Sequence, residues 1–189
     1  MSTEHRPRAL VAYFSRAGEN YDNGGRSNLE VGNTELLAQM ISSRILCDVH
    51  RIESVEPYSD AYDETVERNV KEQEADVRPE IANPLASIAA YDAVLLGSPI
   101  WNVRPPRIML TFVERYDFAG KTILPFTTHA MSGLGTAPQE YASAAPQATI
   151  GPGLAVRGEE VADAGEAVAV WLRGVGLELS PRKSVVPPT

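Results

Sequence analysis

The sequence predicts an α/β fold in which a parallel sheet is covered by helices on both faces. Three short segments are continuously apolar rather than alternating, as strands buried inside a parallel sheet are. Amphipathic helical patterns lie between these segments, and this alternation is typical of parallel strands joined by helical crossovers. The three segments are residues 9–14, 93–96 and 122–124.

Two weaker segments extend the predicted sheet. Val49 to Ile52 is more polar and fits a sheet edge, and a short segment at 154–156 is flanked by glycines. Pro125 follows the third apolar segment. Because proline cannot donate a hydrogen bond to a neighbouring strand, we expect Pro125 at a bulge or at the end of its strand.

Five helices are predicted around these strands. Asn33 or Thr34 can cap the first, and Pro105-Pro106 makes a favourable start for the third. The second is strongly charged, with Val66 and Val70 on one side. The helical patterns cover about 34–45, 62–75, 105–116, 137–144 and 159–174.

Length and composition indicate one globular domain. With 189 residues, of which 43% are hydrophobic and 22% charged, the chain can bury a full core. We expect a single domain over residues 1–179 and a disordered, proline-containing tail over 180–189. No segment is apolar enough to insert into a membrane, and the start of the chain lacks the apolar core of a signal peptide.

The cysteine content and the net charge exclude some classes of protein. Cys47 is the single cysteine, so an internal disulfide is excluded, and no neighbouring Cys or His completes a zinc site. A cytoplasmic protein is therefore expected. The formal net charge of -8 argues against binding to nucleic acid or to anionic membranes.

The strand at 9–14 runs into a phosphate-type turn that is split by an insertion. Ser15-Arg16-Ala17-Gly18 follows the strand, and after residues 19–32 the chain reaches Asn33-Thr34-Glu35, which opens a helix. Such a junction presents hydroxyls and unpaired backbone N–H groups to a phosphate. The alternative is a helix cap beside an ordinary surface turn.

The insertion does not prevent the two halves from meeting. Lengthening a flexible loop from about 6 to about 20 residues costs only on the order of 1 kcal/mol. The inserted residues 19–32 are interpreted either as a flap near a ligand, as a subunit contact, or as a mobile surface loop.

A second polar loop, residues 97–106, follows the second core strand. Its prolines fix the backbone, and Gly97 allows close approach of a ligand. Trp101 could stack on a planar ligand, an interaction worth roughly 1–3 kcal/mol per base in nucleic-acid complexes. The alternative is a tryptophan of the core or of an interface.

A third loop, residues 127–135, follows the third core strand. Its hydroxyls and glycines suit the polar edge of a heterocycle. His129 is the candidate catalytic residue, because it could donate a proton or a hydrogen bond to a reduced ring. The alternative is a structural histidine bonded to nearby backbone.

Nucleophilic catalysis is not indicated. Ser15 and Ser132 lack a nucleophile-elbow motif, and the acidic residues between Glu53 and Glu80 are expected mostly on solvated helix faces.

Together the three loops resemble those of the flavodoxin family, and specifically its bacterial flavodoxin-like branch. The resemblance covers about residues 8–175. It is carried by Tyr13-Phe14-Ser15-Arg16, Gly32-Asn33-Thr34-Glu35, Glu56-Pro57-Tyr58, Tyr91-Asp92, Gly97-Ser98-Pro99-Ile100-Trp101, Pro125-Phe126-Thr127-Thr128-His129 and Ser132-Gly133-Leu134-Gly135.

The resemblance implies a three-layer α/β sandwich, a five-stranded parallel sheet in the order 2-1-3-4-5, and one non-covalent FMN. By position in the family, the phosphate ligands would be Ser15, Arg16, Asn33 and Thr34. The isoalloxazine would be lined by Pro99, Ile100, Trp101 and Asn102, and completed by Thr128, His129, Ser132, Gly133 and Gly135.

The resemblance further implies electron transfer through FMN, with a redox partner protein or a small acceptor such as a quinone. The third loop offers His129 and Met131 but no Tyr or Trp, so one face of the ring is expected to be more open. That leaves room for an NAD(P)H- or quinone-linked oxidoreductase, and for a homodimer that covers the open face. A flavin-free interaction protein on the same fold is the remaining alternative.

Overall fold

The structure, a computed structural model, describes residues 7–177 and 179, so the predicted tail at 180–189 lies outside the described residues. A 3-10 helix at Gly158–Asp163 precedes the last α-helix. The other elements, in chain order, are β1 (Ala9–Tyr13), β2 (Gly18–Asp22), β3 (Gly25–Leu29), α1 (Asn33–Ser42), β4 (Cys47–Arg51), α2 (Tyr62–Glu74), β5 (Ala93–Pro99), α3 (Arg107–Arg115), β6 (Thr122–His129), α4 (Ala137–Ala144), β7 (Thr149–Ile150), β8 (Leu154–Arg157) and α5 (Gly165–Gly174).

The central sheet is parallel and has the predicted order. β4 forms the edge beside β1, followed by β5 and β6. The fifth position is shared by two short strands, because β7 and β8 both pair with β6. The helices flank this sheet, which confirms the three-layer α/β architecture and the order 2-1-3-4-5.

The position predicted for Pro125 is wrong. Pro125 lies in the middle of β6, opposite Leu96 of β5. The carbonyl of Ile123 accepts a hydrogen bond from the N–H of Gly151, on the side of β6 away from β5. The backbone groups of residues two apart face the same neighbouring strand, so those of Pro125 face this side as well. Pro125 therefore points to the gap between β7 and β8, where no ladder donor is needed.

The last helix begins later than predicted. The segment from Gly158 to Asp163 forms a 3-10 helix instead of the first turns of an α-helix. The N–H of Ala164 bonds to the carbonyl of Val161 at 3.2 Å, a three-residue spacing, and Gly165 follows directly. Glycine is a poor residue in a helix interior, so the α-helical part starts only there.

Apolar side chains fill the space on each side of the sheet. One cluster joins alternate residues of β1, such as Val11, to α1 and α5, and includes Trp171. The other joins the intervening residues of β1, such as Leu10, to α3 and α4. The alternation of strand side chains thus builds two cores from one strand.

The helix α2 differs from the others because its buried positions are polar. Thr65, Asn69 and Glu72 are buried, whereas Val66 is exposed. Spacings of four and three residues place the buried three on one stripe of the helix. The expectation that acidic residues lie on solvated faces is therefore wrong for Glu72. None of the helices in the described residues is long and apolar enough to cross a membrane.

Residues 18–29 form an antiparallel hairpin, β2 paired with β3, outside the main sheet. The two residues at its tip, Asn23 and Gly24, have φ values of 47° and 84°. Positive φ at both central residues is the signature of the tight hairpin turn that Asn-Gly favours. Most of the insertion therefore forms a hairpin and not an irregular loop, and its role as a flap or a subunit contact stays a prediction.

A methyl group at Gly97 is expected to destabilise the fold. A Cβ there would overlap the ring of buried Phe126 on the neighbouring strand. Overpacking of this kind costs roughly 1–3 kcal/mol, so Gly97→Ala should lower the free energy of unfolding by that amount in urea denaturation. Gly174→Ala is the matched control, because no described atom beyond its chain neighbours and its own helix backbone lies within 4 Å of a Cβ at that position. Equal stability of the two variants would contradict the packing at Gly97.

Candidate functional site

A cavity of about 550 Å³ opens at the carboxyl ends of β1, β5 and β6. Parallel sheets of this kind bind ligands at this edge, where neighbouring connections diverge. Ten of the thirteen residues predicted for the site line the cavity: Arg16, Asn33, Thr34, Pro99, Ile100, Trp101, Asn102, Thr128, His129 and Ser132. Ser15, Gly133 and Gly135 do not line it.

The two halves of the split loop meet directly, which the small cost of loop closure allowed. The Ser15 hydroxyl oxygen accepts a hydrogen bond from the backbone N–H of Glu35 at 3.1 Å. A side chain on Gly32 would overlap both this hydroxyl and the Arg16 carbonyl. Only glycine therefore lets the loop before the insertion pack against the start of α1.

The capping role predicted for Asn33 or Thr34 is wrong. The residue that precedes α1 is Gly32, and it provides no side-chain cap. Ser15 performs that task from across the loop, by accepting the bond from Glu35. Thr34 is instead buried, and its hydroxyl lies 2.7 Å from the hydroxyl of Thr128, which joins the first loop to the third.

The Arg16 guanidinium is turned toward the base of the hairpin. It donates to the carbonyls of Ser59 and Asp60 at 2.9 and 3.2 Å, and also to the carbonyl of Glu19. Arg16 is only 9% exposed, and its burial lowers the pKa while nearby Asp60 and Glu19 raise it. Arg16 borders the cavity, but these three donated bonds make it an anchor for the hairpin.

The hairpin is docked on the first turn of α2. The N–H of Glu19 bonds to the Asp60 carbonyl at 2.7 Å, and the Glu19 carboxylate accepts from the N–H of Tyr62 at 3.0 Å. Arg26 pairs with Asp63 at 2.7 Å and lies over the Tyr62 ring. Through these contacts the hairpin forms one wall of the cavity, lined by Asn20 and Tyr21.

Trp101 is packed in an aromatic cluster. Its ring centroid lies 5.7 Å from that of Phe14 and 5.3 Å from that of Tyr58, with both pairs T-shaped. Burial, followed by the hydrogen bond to Glu72, raises the pKa of Tyr58, so its phenol stays protonated. Phe14 and Tyr58 thus hold the Trp101 ring in place, while the residue still lines the cavity.

The loop after Trp101 is a strained turn. Trp101 and Arg104 exchange backbone hydrogen bonds of 2.8 and 3.1 Å, and the residues between them have φ values of 50° and 68°. Positive φ at Val103 is unfavourable for a β-branched residue and costs roughly 1–3 kcal/mol. The Val103 carbonyl accepts a hydrogen bond from the N–H of Thr136 at 2.9 Å. The same carbonyl packs on Gly135 so closely that a Cβ at Gly135 would overlap it. Gly135 therefore positions the second loop.

The third loop places His129 at the cavity beside Met131, which is 82% exposed. The Nδ1 of His129 is buried without a hydrogen-bond partner. Burial and then Arg157 lower the pKa of His129, and the more weakly acting Glu159 and Glu160 raise it. The imidazole is therefore neutral at pH 7.

Gly133 has a structural role in the third loop, because its carbonyl accepts a hydrogen bond from the Thr127 hydroxyl at 3.0 Å.

Several lining residues were not predicted from the sequence. One group comes from the hairpin and α2, and a second consists of Gly158 and Glu159. A Cβ at Gly158 would lie 2.6 Å from the Asn33 side-chain nitrogen, so this glycine allows the 3-10 helix to approach α1. The Asn23-Gly24 turn was the available sequence signal for the hairpin.

Among the described residues, no group of three or more His, Cys, Asp or Glu could hold a metal ion.

Fold and site define an α/β protein with a ligand cavity at the switch of its parallel sheet. The flavodoxin family model matches residues 8–174, and no curated protein matches the chain. A Bacteroides uniformis ATCC 8492 protein assigned as a flavoprotein is 28% identical with a TM-score of 0.70, over 89% of this chain and 99% of that one. A Bacteroides eggerthii DSM 20697 protein, likewise assigned, is 26% identical with a TM-score of 0.72, over 92% and 100%.

A flavoprotein from Lactobacillus acidophilus NCFM, solved in complex with FMN, is 20% identical with a TM-score of 0.61, over 85% of this chain and 99% of that one. At this identity the likeness concerns the fold. The chain belongs to the flavodoxin family, since the family model matches most of it. Membership of this family supports FMN as the cofactor, as the sequence resemblance implied.

The pKa of His129 is expected to lie below its ordinary value of 6.5. His129 therefore binds a proton less tightly in the folded than in the unfolded protein. Its contribution to the free energy of unfolding is complete above pH 6.5 and is lost as the pH falls through the lowered pKa. An NMR titration of the imidazole checks this, with His129→Asn to assign the signal. A pKa above 6.5 would contradict the buried, neutral imidazole.

Proposed function

We propose that the protein binds FMN in the cavity and uses it to transfer electrons. The single observation that carries this proposal is the division of the cavity into two chemically different ends. Hydroxyl and amide groups at the start of α1 form one end, and Pro99, Ile100 and Trp101 form the other. A phosphate fits the first end, and a flat, largely apolar ring fits the second.

The phosphate end is built around the first turn of α1. The leading N–H groups of a helix have no acceptor within it, and the helix dipole favours an anion there. Asn33 and Thr34 line the cavity at this turn, and Ser15 lies directly behind them. Gly32 and Gly158 let the Ser15 loop and the 3-10 helix pack closely against this turn, which fixes the Asn33 side chain beside Gly158.

The ring end combines apolar contact with polar groups at its margin. Trp101 offers a large aromatic surface, and the hydroxyl of Thr128 and the neutral imidazole of His129 lie at the end of β6. FMN, when bound, supplies the redox chemistry, and protein groups tune its potential. His129 is the residue for which we propose proton or hydrogen-bond donation to the ring.

Within this class, an oxidoreductase that acts on a small acceptor is supported by the open side of the cavity. Met131 is the large apolar residue at that side, and it is almost fully exposed rather than stacked. A small acceptor can approach from there. Pure electron transfer to a protein partner, a homodimer that covers this side, and a flavin-free interaction protein stay as alternatives.

Replacing Trp101 by Ala is expected to weaken FMN binding by roughly fivefold to 150-fold, the equivalent of one lost stacking contact. The wild-type protein should be yellow as purified, and FMN titration by flavin fluorescence gives the dissociation constants. Trp101→Phe keeps an aromatic surface and should lose less. A colourless protein that does not take up added FMN would overturn the proposed function.

Replacing Asn33 and Thr34 together by Ala should lower the preference for FMN over riboflavin at least about tenfold, because one charge-assisted hydrogen bond is worth about 1.5–3 kcal/mol. The ratio of the two affinities is measured, so that a general loss of stability cancels. Ser143→Ala, which removes a hydroxyl from α4, is the control. An unchanged ratio would place the phosphate elsewhere.

A further inference from the structure

A second wall of the cavity contains none of the residues to which the FMN site is assigned. It is formed by the hairpin and by α2, and we call it the α2 wall. Its cavity-lining residues are Asn20, Tyr21, Tyr62, Thr65, Val66, Asn69 and Val70. None of these side chains is charged, and two valines and two tyrosines give the wall a mostly apolar surface.

Asn69 is the exceptional residue of this wall. It is only 3% exposed and belongs to the buried polar stripe of α2. The other two members of the stripe have partners within the protein, because Thr65 donates to the Ser59 carbonyl and Glu72 accepts from Tyr58. Asn69 therefore stands out as a mostly buried residue whose amide also lines the cavity, where a donor can meet a ligand.

A chain of amides fixes the orientation of Asn69. The Trp101 carbonyl can only accept, so the Gln73 side-chain NH₂ must face it, at 2.9 Å. The same nitrogen of Gln73 donates to the Asn69 oxygen at 3.2 Å, and the Gln73 oxygen accepts from Asn102. The Asn69 oxygen is therefore occupied, and its NH₂ has no acceptor among the described residues. That NH₂ belongs to a residue that lines the cavity.

The α2 wall is poorly suited to an anion. Arg16 and Glu159 are the fully charged residues among those that line the cavity, and the Arg16 guanidinium donates to three carbonyls. The start of α2, which would otherwise attract an anion, is capped by the Glu19 carboxylate at 3.0 Å from the Tyr62 N–H. A pyrophosphate-containing nucleotide would find no free cation on this wall.

We propose that the α2 wall is the acceptor subsite, and that it binds a neutral, planar carbonyl compound of the quinone class. One carbonyl oxygen accepts the hydrogen bond from the Asn69 NH₂, and the ring packs on Val66, Val70 and Tyr62. Gln73 is the positioning residue, because it holds the Asn69 amide with its donor toward the cavity. This inference rests on the proposed function, since FMN is the electron donor to the acceptor.

The test measures binding, without turnover. Duroquinone is the probe, because its fully substituted ring cannot alkylate Cys47. Equilibrium dialysis against oxidised, FMN-loaded protein without reductant gives its dissociation constant. Asn69→Asp keeps the shape of the side chain but replaces the donor by an acceptor, and Asn69→Ala removes the group. Gln39→Ala, which removes an exposed amide from α1, is the matched control.

Both Asn69 variants are expected to bind duroquinone at least about fivefold more weakly, as loss of one buried hydrogen bond implies. Asn69→Asp should lose more than Asn69→Ala, and FMN affinity should change less than about twofold in either variant. The control should match the wild-type protein, and circular dichroism verifies folding.

Each other result has a separate meaning. Weakened FMN binding in the Asn69 variants would assign Asn69 to the flavin and overturn the subsite. Wild-type protein that binds FMN but not duroquinone, or unchanged duroquinone affinity in both variants, would overturn the subsite and leave the proposed function standing. Failure of the wild-type protein to bind FMN would overturn the proposed function, and with it the assignment of the subsite to an electron acceptor.

Discussion

The contact between Ser15 and the start of α1 is the constraint on which the site depends. The hydroxyl of Ser15 accepts from the Glu35 N–H, and Gly32 has no side chain to separate them. This contact aligns the end of the first core strand with the first turn of the helix, although a hairpin lies between them in sequence. The free N–H groups of that turn and the cavity beside it are a result of this alignment.

The other walls are held to this contact by polar bonds between elements. Thr34 and Thr128 connect the first loop to the third, and Arg16 connects it to the hairpin and to the segment before α2. Gln73 then connects α2 to the loop that carries Trp101. These bonds join the first loop, the third loop, the hairpin, α2 and the Trp101 loop to one another. The cavity is therefore specified by hydrogen bonds, whereas the sheet beneath it is specified by apolar packing.

Apolar packing is also what the sequence predicts well. Residues such as Val11 and Leu95 lie in continuously apolar runs, which predicted the buried strands and the three loops that follow them, while the sheet order came from the family resemblance. Pro125 was misplaced because the gap between β7 and β8 that tolerates it is a tertiary feature. Asn33 and Thr34 are ordinary capping residues by type, and only the long-range contact of Ser15 shows why they do not cap.

The polar wall of the cavity could not be predicted in the same way. The pattern of α2 is that of a solvated helix, and nothing local distinguishes the buried Asn69 and Glu72 from their exposed neighbours. Their burial depends on residues outside the helix. Tyr58, which precedes α2, contacts Glu72, and the distant Trp101 loop contacts Gln73 beside Asn69. Side-chain patterns report apolar burial directly, whereas buried polar groups become visible only through their partners.

The hairpin has a consequence for the cost of binding a ligand in the cavity. Pairing of Gly18 with Leu29 brings the ends of the insertion together through backbone bonds, and Arg16 and Arg26 fasten it to the rest of the protein. A flap that had to fold over each ligand would add a gating step and an ordering cost to every association. Here the hairpin wall is already folded and docked, so ligand binding does not have to supply the entropic cost of ordering this segment.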